Sequence, residues 1–523
     1  MKPFFITTAI DYTNAPPHIG HAYEKILADV LARYQRQRGR QVFFLTGVDQ
    51  HGQKVQQSAE REGIASQEFA DRVSEKFLSL WKALGISYDA WAATTAPLHK
   101  EAVQRILNDL KERDWLYKAT YSGHYSVRQE QFLTDKERGP NGEFGPEWGE
   151  VVLLNEENWY FRLSKCSEWL HGFLDGRKDF VTPDFRQTEL KNAAAKITGD
   201  LCISRPKSRL EWGIELPFDS GFVTYVWFDA LINYISFAGY GMEAEEGRMA
   251  FDTIWPADHH VIGKDILIPA HGVYWPCMLH AMGFSDDRMP HLLVHGFWSL
   301  RGEKVSKSTG NVVDPTALVE SYGTTALRYY LMRDAVMGRD ADFSEERLIL
   351  RHNTELGNGL GNLVNRTLSM TQRYREGSPK QVPLPADLAA HLAADAESVK
   401  AFISQMDTAQ IHAGIETMVD LVNRANALVD SAAPWKLAKD PEQADRLDTV
   451  LSTLILSART AATLLLPVAP EAAAEILRQI DLPALDLGEV AITTFADGYR
   501  CGEPKPVFPR LEMLVVGPDD SAA

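Results

Sequence analysis

The sequence predicts an α/β protein in which a parallel-sheet domain is split by a small β-rich insertion and followed by an all-α helix bundle. Three observations predict it. First, the apolar run Phe4 to Ile10, the helix-like pattern Ala22 to Arg38 and the apolar run Gln41 to Leu45 form a βαβ unit. Second, from about Leu116 the texture changes to short aromatic runs with turns, as in Tyr121-Ser122-Gly123-His124-Tyr125 and Gly139-Pro140-Asn141-Gly142, which is strand-and-turn chemistry. Third, Arg351 to Leu477 is almost wholly helical, with alanine- and leucine-rich stretches such as Leu451 to Leu466, the pattern of a separate bundle. Both strands of the βαβ unit end in polar residues, beside a helix N-terminus. Such a crevice is where α/β folds seat nucleotides, so the first domain is expected to be Rossmann-like and nucleotide-binding.

Taken in order, residues 53 to 85 and 98 to 114 read as helices covering the sheet, since Val73, Phe77, Leu80 and Leu84 recur at three or four. The parent fold resumes near Pro217. There the strand-like run Phe222 to Trp227 leads into a helix whose spacing puts Trp227, Ala230 and Tyr234 near one face. A chain of 523 residues is long enough for about three or four domains.

The four cysteines, Cys166, Cys202, Cys277 and Cys501, are widely spaced and form no Cys-x-x-Cys pair, which argues for a reducing compartment and against a thiolate metal site. No apolar run approaches the length of about 18 residues needed to span a membrane, and no leader with a small-residue cleavage site precedes the first strand. A cytoplasmic protein is expected. The net charge of −17 excludes a globally basic nucleic-acid binder. It leaves room for a local track, and Arg328, Arg333, Arg339, Arg347 and Arg351 recur along one segment. Pairing with Asp334, Asp340, Glu345 and Glu346 explains them equally well at this point.

Two motifs carry chemistry. His18-Ile19-Gly20-His21 opens the first helix, where free N–H groups and the helix dipole favour phosphate, where Gly20 permits close approach, and where two imidazoles add donors. Far along the chain, Lys304-Val305-Ser306-Lys307-Ser308 puts two cations in a glycine-flanked loop after the strand-like run Leu292 to Trp298, suited to meeting a departing pyrophosphate. His259-His260 and the pair His291 and His295 read as structural, because a spacing of four in a strand does not converge two rings.

In this order the two motifs resemble the HIGH and KMSKS signatures of class I aminoacyl-tRNA synthetases, with Val305 in place of the signature methionine. Tyr225-Val226-Trp227-Phe228-Asp229-Ala230, Val261-Ile262-Gly263-Lys264-Asp265-Ile266 and Ala432-Ala433-Pro434-Trp435-Lys436 narrow the resemblance to the methionyl-tRNA synthetase family, over essentially the whole chain. The resemblance implies ligation of L-methionine to tRNA(Met) with ATP and Mg2+, through a methionyl-adenylate. It implies a Rossmann-like catalytic domain in two halves, 1–116 and 217–300, around a connective insertion at 117–216. A lysine-loop and stem-contact region follows at 301–350, then an anticodon-binding bundle at 351–478 and a tail at 479–523 that packs on the body.

Carried over by position, the resemblance makes His18, His21, Lys304 and Lys307 catalytic. ATP would be met by His18, Gly20, His21, Gly263, Asp265, His295, Lys304, Ser306 and Lys307. Methionine would be met by Ile10, Tyr12, Asp49, Trp227, Ala230, Tyr234, Ile266 and His271, with Asp49 against the α-ammonium, since a buried cation requires a carboxylate. Asn358, Asn362, Arg366 and Trp435 would read the anticodon by amide and guanidinium hydrogen bonds and by stacking. The asparagines also admit a helix-packing explanation.

The sequence departs from the family pattern at several points. Between Asp265 and Tyr274 it runs one residue longer than relatives, with Pro269 in the added region. Ser126 and Gln129 stand where the first Cys-x-x-Cys pair of a zinc knuckle would fall. No structural zinc is therefore expected, and the knuckle should be held by Tyr125, Phe132, Trp148, Trp159 and Tyr160. The insertion is too short for a large hydrolytic editing domain. No appended oligonucleotide-binding domain follows the tail, so a monomer is the expectation. Two other functions compete with this one: a different class I synthetase such as the cysteine enzyme, which would need a zinc-thiolate site, and a non-catalytic tRNA-binding protein, which would carry eroded signatures.

Overall fold

The computed structural model describes residues 2–126, 131–133, 135–139, 141–197, 199–243, 249–300, 303–304, 313–488, 495–496 and 498–513. The chain enters through β1 (Phe4–Thr8) and the short β2 (Asp11–Tyr12), crosses helix α1 (Ile19–Gln37) and returns in β3 (Val42–Asp49). Helices α2 (Gln53–Glu62) and α3 (Ser66–Ala83), strand β4 (Ala90–Ala93) and helix α4 (Pro97–Glu112) follow. Gly63, left-handed at φ 70°, ends α2, so the pattern read across 53–85 is two helices.

Strands β5 (Leu116–Ser126), β6 (Gln131–Leu133) and β7 (Val151–Phe161) lead to helix α5 (Ser167–Gly176), strand β8 (Val181–Thr182) and helix α6 (Asp184–Ala194). Strands β9 (Leu201–Cys202), β10 (Ser204–Pro206), β11 (Glu215–Leu216) and β12 (Asp219–Thr224) precede helix α7 (Val226–Ser236). Strands β13 (His259–Gly263) and β14 (Leu292–His295) complete the central sheet.

That sheet runs β2-β3-β1-β13-β14-β8, with β4 also on β3, and its pairings are parallel. The chain moves out from β1 to β3 on one side and comes back to β13 on the other. The reversal of strand order therefore lies between β1 and β13, which opens a crevice at their carboxyl ends. Alternation along β1 serves two cores: Phe4 and Ile6 join α1, α3 and the C-terminal helices, while Phe5 joins α4 to α7.

Several expectations are corrected. The segment 117–216 is not β-rich throughout. A four-stranded antiparallel sheet built on β5 and β7 is its β part, whereas β8 pairs with β14 at Val181↔Leu292, and Leu170, Phe173 and Leu190 of α5 and α6 are buried in the core of the parent sheet. Their apolar spacing is helical, and the surrounding aromatic runs masked it. The strand expected over Phe222–Trp227 ends at Thr224 and belongs to a separate antiparallel sheet, β10-β12-β11.

The knuckle aromatics do not form one cluster. Trp159 packs on Phe218 and Tyr160 on Tyr117 at the base of the hairpin, at 4.8 and 5.6 Å between ring centroids. Tyr125, seven pairs further along the ladder, instead meets the guanidinium of Arg209 at 4.7 Å. Gln129 and the side chain of Phe132 lie outside the described residues.

The helix bundle is fused to the sheet rather than detached, since one core runs from Ile26 and Phe77 to Leu421, Leu454 and Leu465. The C-terminal tail lies on the bundle side: Gln479 and Gln372 hold the backbone near Lys505 and Cys501, and the backbone carbonyl of Pro509 sits 2.9 Å from His352. Phe495, Cys501 and Phe508 fill that surface. Arg328 locks the arrangement. Its buried guanidinium donates to Asp29 at 2.7 Å and to the carbonyls of Leu84, Pro467 and Val468. Removing one partner of a buried ion pair costs about 3–5 kcal/mol, so Arg328→Met should lower the midpoint of thermal unfolding by several degrees in calorimetry. An unchanged midpoint would show that Arg33, also on Asp29, suffices.

Candidate active site

The crevice between β1 and β13 is a cavity of about 470 Å³. On one side stands the N-terminus of α1, whose cap is His18 in extended conformation. The His18 ring accepts the Gly20 N–H at Nδ1, and the His21 ring accepts the His18 N–H at Nδ1, both at 3.1 Å. This reciprocal cap fixes both tautomers. With Nδ1 accepting, each neutral ring carries its proton on Nε2. The rings lie 3.8 Å apart, and a Cβ on Gly20 would come within 3.0 Å of His18, so the absence of a side chain at Gly20 leaves room for the His18 ring to fold back over the helix end.

On the other side is an aromatic slot. Tyr12, Trp227, Ala230, Tyr234, Ile266 and His271 line it together with Ile10 and Asp49. Helix α7 supplies Trp227, Ala230 and Tyr234 from one face, as their spacing predicts. His271 and Ile266 come from the stretch around Pro269, which forms a wide helical turn over Leu267–Tyr274, broken at Ile268. His271 donates from Nδ1 to the Ile266 carbonyl at 2.9 Å, leaving Nε2 to accept the Tyr234 hydroxyl proton at 2.8 Å. Burial pushes the His271 pKa down to about 4 and that of Tyr234 well up, so this pair is neutral.

Gly263, Asp265 and His295 line the end of the cavity formed by β13 and β14. A Cβ on Gly263 would stand 2.7 Å from the Asp265 carboxylate, so a side chain there would push that carboxylate aside. Every residue expected from the sequence to touch methionine, and His18, Gly20, His21, Gly263, Asp265 and His295 of the ATP set, thus face one cavity. Lys304 is placed only through its backbone: it pairs with Ser299 where β15 (Trp298–Leu300) meets β16 (Glu303–Lys304). Ser306 and Lys307 lie outside the described residues.

A family model described as "tRNA synthetases class I (M)" matches residues 4–143 and 149–368. The chain is 42% identical to the methionine–tRNA ligase of Deinococcus radiodurans over 92% of its own length and 70% of that protein. It is 40% identical to the methionine–tRNA ligase of Rhizobium meliloti over 97% and 98%. A structure of Mycobacterium tuberculosis methionyl-tRNA synthetase in complex with methionyl-adenylate superposes with a TM-score of 0.90 at 36% identity, covering 98% of this chain and all of that one. The chain belongs to the class I methionyl-tRNA synthetase family.

Sequence reading of this family member missed two buried networks. In one, Asp229 of α7 accepts from His51 Nδ1 at 2.7 Å and His99 Nε2 at 2.8 Å, tying α7 to the loop after Asp49. Burial alone would raise the Asp229 pKa, but the two imidazoles hold it down at about 2. The signal was an acid inside the apolar helix Val226–Ser236. In the other, Lys25, behind the cavity wall, pairs with Asp11 and Glu24, and Glu24 is hydrogen-bonded to His295.

The arginine track resolves largely as ion pairs, partly with the expected Asp334 and partly with carboxylates from outside the segment. Arg328 takes Asp29, Arg333 takes Glu355, and Arg347 and Arg351 take Asp334. Asp340 is bound by Lys264 instead. In the bundle, Asn358 and Asn362 are exposed rather than packed between helices. Arg366 sits between Asp430 at 2.8 Å and the half-exposed ring of Trp435 at 5.9 Å.

His260 and His271 bear on stability. Both are buried, and burial pushes the His260 pKa well below 6.5 and the His271 pKa to about 4. A base whose pKa is lowered on folding binds fewer protons than its unfolded counterpart, so stability is present above about 6.5 and is lost as pH falls. His271 alone accounts for roughly 3 kcal/mol of this on the linkage scale. Asp229 begins to lose its contribution only below about pH 4, and Asp11, raised to about 7, works in the opposite direction. The expected result is a melting temperature that falls steadily from pH 6.5 to 4. A flat profile there would contradict the burial of these rings as neutral species.

Proposed function

We propose that the chain ligates L-methionine to tRNA(Met) in two steps, forming methionyl-adenylate from methionine and ATP and then passing the methionyl group to the terminal ribose of the tRNA. The observation that carries this reading is the single cavity at the sheet's switch point. It joins a helix N-terminus bearing two Nε2–H donors to a neutral aromatic slot with Asp49 on its wall. A thioether is apolar and polarizable and favours aromatic edges, and the ring planes of Trp227 and His271 stand at 88°.

In this mechanism the methionine carboxylate attacks the α-phosphorus and pyrophosphate leaves. No protein nucleophile is needed, so catalysis is positioning and charge stabilisation. His18 and His21 donate to phosphate oxygens, Lys304 and Lys307 meet the pyrophosphate, Asp49 holds the ammonium, and Gly263, Asp265 and His295 receive the nucleoside. The described residues offer no cluster of three or more His, Cys, Asp or Glu that could hold a metal ion, so Mg2+ is proposed to arrive on the ATP phosphates, where it supplies charge neutralisation. The insertion is read as working without zinc, because Ser126 spends its hydroxyl on the Trp148 carbonyl where a thiolate would be needed.

The exposed Asn358 and Asn362, with Arg366 beside Trp435, are proposed as the anticodon contacts. Four unpaired cysteines support a reducing, cytoplasmic setting, and a monomer is the simplest working form. No described helix is long and apolar enough to cross a membrane. The deciding experiment is exchange of labelled pyrophosphate into ATP, with EDTA-treated protein to which only magnesium is returned. Exchange with methionine and with no other amino acid supports the reading. Its absence in folded protein that still binds tRNA would favour a binding module.

A further inference from the structure

Four titratable side chains run in a chain along the cavity wall and behind it. Lys25 Nζ donates to Asp11 Oδ1 at 2.6 Å and to Glu24 Oε1 at 2.9 Å. Glu24 Oε2 lies 3.1 Å from His295 Nε2, and His295 Nδ1 faces the Gly296 carbonyl at 2.8 Å. Both ring nitrogens of His295 thus face acceptors. The Lys25 side chain is wholly inaccessible and Asp11 nearly so. Asp11, Glu24 and His295 line the cavity, and Lys25 lies behind them.

We propose that Lys25 is a positioning residue for the nucleotide: from behind the wall it offsets the charge of Asp11 and Glu24, so that a triphosphate meets a less negative surface. This rests on reading the cavity as an ATP site. Without Lys25, a lone carboxylate on the cavity wall would repel a polyanion through low-dielectric surroundings. Asp11 Oδ2 is buried without a hydrogen-bond partner, which makes Lys25 the main partner of this carboxyl. The other titratable groups around the pair are His21, whose Nε2 is 4.0 Å from Asp11, and Tyr234 and His271, which face Glu24 across the cavity. Burial, partly offset by Lys25, pushes the Asp11 pKa up to about 7. Loss of Lys25 raises it further, so the uncovered charge shows itself only at alkaline pH.

The test compares Lys25→Met with Lys25→Met/Asp11→Asn by methionine-dependent pyrophosphate exchange between pH 6.5 and 9. The Ala9 carbonyl that Lys25 also serves keeps the Thr8 hydroxyl, and neutral replacement of a buried ion pair is generally tolerated. For Lys25→Met, KM for ATP should stand about tenfold above the parent value at pH 9. KM for methionine should stay within about twofold, and the double variant should match the parent at pH 9. An unchanged KM for ATP at pH 9, the same rise in the double variant, or a parallel rise in both KM values would overturn the proposal. Should Lys25→Met fail to fold, Asp11→Asn alone leaves the cation in excess and must lower KM for ATP, and a raised value overturns the proposal equally. Absence of exchange in the parent protein would instead remove the ATP reading itself.

Discussion

His21→Ala should slow adenylate formation by about a hundred- to a thousandfold while leaving methionine affinity within about twofold of the parent. The His21 Nδ1 is occupied by the His18 N–H, so the ring has one proton to offer, on Nε2, and α1 aims it into the cavity. In the proposed reaction that proton meets a phosphate oxygen whose charge grows as the α-phosphorus is attacked, an interaction stronger in the transition state than in the ground state. Alanine also removes half of the helix cap, which costs about 1 kcal/mol of stability and could be mistaken for the catalytic effect. His21→Gln separates the two. A glutamine at this position can reach back to the His18 N–H as in an ordinary capping box, so it should restore thermal stability while recovering only part of the rate. Stopped-flow adenylate formation and methionine titration decide the matter, and equal losses in rate and in methionine affinity would end the phosphate role.

The motifs and periodicities legible in the sequence were local ones. The βαβ start, the helix start at His18 to His21 and the shared face of Trp227, Ala230 and Tyr234 depend on neighbours within a few residues, and each lies in the structure where its spacing put it. What escaped depends on contacts between distant segments. Asp229 meets His51 across 178 positions and Arg328 meets Asp29 across 299, and no periodicity encodes such partners. The arginine track shows the cost. Its charges were visible, but carboxylates such as Asp29 and Glu355 came from outside the segment that was scanned. The two-residue strand β8 was lost for a related reason: its place at the sheet edge is set by Leu292 and Leu293, not by its own pattern.

Asp49→Asn should raise KM for methionine by about thirty- to a thousandfold, the range for losing a charge-assisted contact to a desolvated cation, with little change in KM for ATP. The cavity presents several carboxylates, and their surroundings differ. Asp11 and Glu24 share Lys25, and Glu24 also meets His295. Asp49 stands at the end of β3 opposite Tyr12, with its main chain fixed by two bonds from Thr13. An ammonium bound there would have the side chain of methionine directed along Tyr12 toward Trp227 and Tyr234. Asparagine keeps the shape of the side chain and removes only the charge, so folding should survive. A second ligand makes the assignment specific. 4-(Methylthio)butanoate has the side chain and carboxylate of methionine and lacks the amine. The parent should bind it far more weakly than methionine, and Asp49→Asn should bind the two almost equally. If the variant still prefers methionine by the parental margin, the ammonium is held by another group and the orientation of substrate in the slot must be reversed.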